Sequence, residues 1–77
     1  MSLHLQPVHL GTGSHDTESQ LVFANGYLVA VLVRLSDKHE ENAGKWFLEA
    51  GFGRVDSPNP PTFTDLDAAQ RWIEERL

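Results

Sequence analysis

The chain contains no cysteine, so neither a disulfide nor a thiolate zinc site can hold it together. Basic residues are scarce as well: six Lys and Arg stand against eleven Asp and Glu, for a formal net charge of −5. That balance repels phosphate backbones and anionic membrane surfaces, so nucleic acid and membrane are not the expected partners. Long apolar runs are missing too. The longest, Tyr27 to Val33, is far too short to span a bilayer. The opening Met1-Ser2-Leu3-His4-Leu5-Gln6-Pro7 has neither the basic stretch nor the apolar core of a secretory signal, so a cytoplasmic location is expected. A cysteine-free chain is compatible with that reducing compartment.

The 77 residues present make one small domain, residues 1–77. A chain of this size buries only about 60% of the surface its unfolded form exposes, so its core is marginal. Small domains without disulfides or metals often complete themselves by oligomerising.

The chain reads as strands followed by a helix. Leu3 to Leu10 forms a short first strand, with Leu3 and Leu5 alternating with His4 and Gln6. Pro7 has no N–H for a ladder, which assigns this strand to an edge or a bulge. Gly11 to Ser19 is a polar loop, and Gln20 to Ala24 a second strand. Asn25-Gly26 then favours a two-residue type I′ hairpin, because both residues accept positive φ. The third strand runs from Tyr27 to Leu35. Ser36 to Gly44 is a polar connection, and Lys45 to Val55 a fourth strand carrying Trp46, Phe47, Leu48 and Phe52. Ser57-Pro58-Asn59-Pro60-Pro61 is a stiff strap. A helix follows Phe63, with Thr64 as N-cap and Asp65 and Asp67 in its first turn. Leu66, Ala69, Ile73 and Leu77 form its apolar stripe, widened by Trp72, and Asp67 can pair with Arg71. A helix this short must dock on the sheet to persist. The expected fold class is therefore α+β: a four-stranded antiparallel β-meander (ββββα) with one C-terminal helix packed on one sheet face.

The third strand carries the main inference. Strict alternation places Tyr27, Val29, Val31, Val33 and Leu35 on one face and Leu28, Ala30, Leu32 and Arg34 on the other. Both faces are apolar, whereas a half-exposed strand shows polar residues at every second position. One helix covers one face. A second copy across the other, or the polar loops folded over it, would cover the rest. Burying about 500 Å² of apolar surface per chain contributes on the order of 12 kcal/mol before the cost of association. A homodimer through the sheet is expected, and another protein partner could use the same surface.

Chemistry-bearing residues are few. His15-Asp16 and His39-Glu40-Glu41 lie in loops and match no established zinc spacing, so no metal is expected. Ser14, His15 and Asp16 are adjacent in sequence, and their side chains diverge, which is not how a catalytic triad is built. A sheet with a single helix also encloses little volume, so no catalytic residue and no enzymatic activity are assigned. Gly11-Thr12-Gly13-Ser14 and Gly51-Phe52-Gly53 lack the helix and the Lys-Ser/Thr pair of a phosphate loop, and no cofactor is expected. Trp46, Trp72 and Tyr27 read as packing residues. The face holding Phe47, Glu49, Gly51 and Gly53 is flatter, and a peptide could add to an edge there.

Pro61-Thr62-Phe63-Thr64-Asp65-Leu66-Asp67-Ala68-Ala69-Gln70-Arg71-Trp72 resembles the strand-to-helix junction of the APETALA-type DNA-binding domains of plants and of the arm-binding domains of phage integrases. The resemblance covers about a dozen residues. It implies a sheet-plus-helix layout that reads DNA with arginines and tryptophans on the exposed sheet. In this chain those would be Arg34, Lys45, Arg54 and Trp46, but their strand neighbours are apolar. Double-stranded RNA-binding domains begin their last helix with lysines, where this chain has Asp65 and Asp67, so that match fails. The leading expectation is a small, non-catalytic interaction or accessory module that is homodimeric. The alternatives are a nucleic-acid-associated domain using Arg34, Lys45 and Arg54, and a metal binder or enzyme using His15 or His39.

Overall fold

The structure is a computed structural model that describes residues 2–9, 11 and 18–77, excluding the side chains of 37–39. The chain is an α+β domain: one antiparallel sheet of five strands and a C-terminal helix. The strands are β1 (Leu3–His9), β2 (Glu18–Ala24), β3 (Tyr27–Arg34), β4 (Trp46–Gly51) and β5 (Thr62–Phe63), and the helix is α1 (Leu66–Arg76). Their order across the sheet is their order in the chain, so each strand pairs with its sequence neighbour. The polar connection between β3 and β4 forms a 3-10 segment, Asp37–Asn42, kinked at Glu40.

Several local rules hold. β1 lies at the edge, where the missing Pro7 N–H disrupts little. Asn25 and Gly26 take φ of 52° and 84°, the left-handed pair of a type I′ turn, and Ala24 pairs directly with Tyr27.

The strand count differs from the four expected. Lys45 to Val55 is not one strand: β4 stops at Gly51, and Gly53–Val55 makes a 3-10 turn. A Cβ on Gly51 would stand 2.5 Å from the Val55 carbonyl oxygen, so only glycine allows the turn to fold back against the strand. The proline strap then returns the chain alongside β4, where Thr62 pairs with Phe47 and Phe63 with Trp46. That two-residue β5 is the fifth strand. The helix cap also moves by one residue. Asp65, not Thr64, is the N-cap, and its carboxylate accepts the Ala68 N–H at 2.8 Å. The Asp67–Arg71 ion pair does not form; Arg76 instead stacks 3.6 Å over the Trp72 ring.

The core lies between one sheet face and α1. Val22, Ala30, Leu32, Leu48, Trp46 and Phe63 come from the strands, Val55 from the 3-10 turn, and Ala69 and Ile73 from the helix. Leu66, Trp72 and Leu77 pack at its margin, as the 3.6-residue stripe requires. Trp72 meets Phe63 edge-to-face at 5.6 Å. No side-chain nitrogen or oxygen among the described residues is buried without a hydrogen-bond partner.

Candidate interaction surface

Residues paired across strands share a sheet face, so the register defines the side that α1 leaves alone. One row across it is His4, Phe23 and Leu28, and the next is Gln6, Leu21, Val31 and Ala50. The third is Val8, Ser19, Val33, Phe47 and Thr62. His4 and Phe23 stand with ring centroids 6.2 Å apart. Phe52 extends the first row: its backbone remains extended (φ −120°, ψ 142°), and its N–H donates to the Val29 carbonyl at 3.0 Å.

Two bulges set this arrangement and correct the simple alternation. On β3, Val22 pairs with Ala30 but Phe23 pairs with Leu28, so Val29 is an extra residue. Val29 packs against the core instead of joining Val31, and Leu28 moves to the open face. On β4, Leu32 pairs with Leu48 but Val31 pairs with Ala50, leaving Glu49 as the extra, exposed residue. The face expected to hold Phe47, Glu49, Gly51 and Gly53 therefore holds Phe47 and Ala50.

The open face is unevenly covered. At the end from which the β3–β4 connection departs, Ser19 and Val33 are 0% and 4% exposed and Leu35 is 9% exposed. The Ser19 hydroxyl donates to the Val8 carbonyl at 3.0 Å, which satisfies it there. This end is sealed within the protomer. Toward the Asn25-Gly26 turn, Leu21, Phe23 and Val31 are half-buried and Leu28 is 37% exposed.

The other candidates are scattered. Arg34 makes an exposed ion pair with Glu18, Nη1 to Oε2 at 3.2 Å. Lys45 lies at the same end, its carbonyl accepting the Leu35 N–H at 2.8 Å. Arg54 stands in the 3-10 turn after the far end of β4. These cations form no common stripe, and Trp46 is a core residue, 7% exposed. Ser14, His15 and Asp16 lie outside the described residues, and so does the side chain of His39. Among the described residues no three His, Cys, Asp or Glu side chains gather as a metal group, and no helix is long and apolar enough to cross a membrane. Phe23, Leu28 and Phe52 escaped sequence reasoning as a group. Their signal is weak, because only the β3 bulge and the glycine-flanked end of β4 bring them together.

No protein-family model matches the chain, and no curated protein or solved structure matches it significantly.

Proposed function

We propose that this chain is a small, non-catalytic interaction module that works as a homodimer, joined through the sheet face opposite α1. The observation that carries the reading is the unpartnered run of Leu21, Phe23, Leu28 and Val31 on that face. A solvated antiparallel face carries polar side chains at these positions. Here none of them is charged, in a chain of net charge −5. Two copies of an acidic chain approach at least electrostatic cost through neutral surface.

By strand and residue spacing, the whole face measures about 24 by 20 Å, or roughly 500 Å² per copy. Only the half that the protomer leaves open can be buried, roughly 500 Å² for a pair, below the usual size of a stable interface, so the dimer is weak and reversible. Light scattering over a concentration series tests this. The expected mass rises from that of one 8.6 kDa chain toward two. A pure monomer at about millimolar protein, where even weak complexes form, overturns the reading. DNA binding with a steep salt dependence would replace it with the nucleic-acid alternative.

A further inference from the structure

We infer that Asn25 is a site of spontaneous covalent modification in the folded protein, its side-chain amide converting to aspartate and isoaspartate through attack by the Gly26 backbone nitrogen. The chemistry needs one chain only and does not depend on the homodimer. The chain has three asparagines, Asn25, Asn42 and Asn59. Each carries a primary amide, and the nucleophile placed to displace its ammonia is the backbone nitrogen of the next residue. Asn59 is followed by Pro60, which has no N–H to give up. Asn42 is followed by Ala43, whose N–H donates to the Glu40 carbonyl at 3.0 Å and whose side chain hinders the approach. Gly26 brings neither obstacle. It has no side chain, a Cβ built on it would meet nothing within 4 Å, and Asn25 and Gly26 are both exposed. In a two-residue type I′ turn the flanking residues, here Ala24 and Tyr27, bond to each other, and the N–H of the second turn residue takes no part in the closure.

The step balances with water alone. As the Gly26 nitrogen attacks Asn25 Cγ, the N–Cγ bond forms, the Cγ–Nδ2 bond breaks, and ammonia leaves with the Gly26 proton. Water then opens the cyclic imide. Cleavage at Cγ leaves aspartate on a normal backbone, and cleavage at the backbone carbonyl leaves isoaspartate, with the chain routed through the side chain. Ring closure requires the Gly26 nitrogen to eclipse Asn25 Cβ, whereas a type I′ turn, with ψ of about +30° at its first residue, holds it nearly opposite. The turn must therefore open first. The hairpin end, exposed from Asn25 to Leu28, opens at lower free energy than the whole domain. The two products then diverge. Asp-Gly suits the same turn. Isoaspartate adds one backbone atom between Ala24 and Tyr27, so a two-residue turn no longer closes that pair.

Incubation of the folded full chain in mildly alkaline buffer, followed by peptide mapping with mass spectrometry, tests the site. The mass gain of an amide becoming an acid is expected at Asn25 and not at Asn42 or Asn59. Its rate should be at least about tenfold below that of the same chain in urea, because only the opened fraction reacts. Asn25→Gly keeps a turn-compatible pair and removes the amide, so the gain should vanish while circular dichroism stays native. Thermal melting of the separated products should place the isoaspartyl form below the aspartyl form. Conversion at Asn42 ahead of Asn25, or a folded chain unchanged at Asn25 while the urea sample converts fully, overturns the inference.

Discussion

On the helix side of the sheet, Val22, Ala30, Leu32 and Leu48 are at most 1% exposed; on the other side, one residue from Ala30's neighbour Val29, Leu28 keeps 37% of its surface. The two faces draw on the same aliphatic side chains, and coverage separates them. Val55, Ala69 and Ile73 close the first face from above. The second is closed over Ser19, Val33 and Leu35. Apolar content alone thus says that a face needs a lid, and the position of the connections says how much of the lid the chain provides.

That contrast can be broken from either side. The largest effect belongs to the covered face. Ile73→Asp would leave an unpaired carboxylate at a fully buried position, costing about 3–5 kcal/mol, comparable to the whole stability of a domain this small. Circular dichroism should show loss of cooperative melting. Gly51→Ala comes next. Its new methyl would meet backbone atoms of Val55 at 2.5 and 2.7 Å, so the turn beneath the core must shift, at about 1–3 kcal/mol. A lowered urea midpoint at unchanged slope would report it. Asp65→Ala removes the α1 cap and should cost about 1 kcal/mol, with Asp65→Ser restoring most of it. Smallest is Leu28→Asn on the open face. In dilute protein it should alter unfolding free energy by no more than about 0.5 kcal/mol. It should instead abolish the rise of wild-type Tm with concentration that a dimer produces. A Leu28→Asn variant as damaging to dilute protein as Gly51→Ala would erase the distinction between the faces.

Much of the covered side was legible in the residues. The stripe of Leu66, Ala69, Ile73 and Leu77 has one helical reading, and Ala69 and Ile73 are fully buried. Asn25-Gly26 specifies its turn locally, and Pro7 has few places other than an edge. What escaped depends on contacts distant in sequence. The extra residues Val29 and Glu49 arise from how neighbouring strands register, which a strict two-residue alternation cannot contain. β5 is two residues long and exists because the strap brings Phe63 beside Trp46. Thr64 and Asp65 are both good caps, and only the geometry of the first turn chooses between them. The open surface was foreseeable as an excess of apolar side chains on β3, but its membership was not: alternation kept Leu28 with Ala30 and assigned Val29 to the other side.

The margins of the sheet have a consequence for how large any assembly can grow. Pro7 interrupts the outer strand on one flank; on the other, the stub Thr62–Phe63 and the imino residues Pro60 and Pro61 stand where a newcomer would seek amide donors. Neither flank offers a continuous template for adding another chain. Were two copies to meet broadside as proposed, that contact would use up the open part of the sheet face, and recruitment would end at a pair and not run on into a filament.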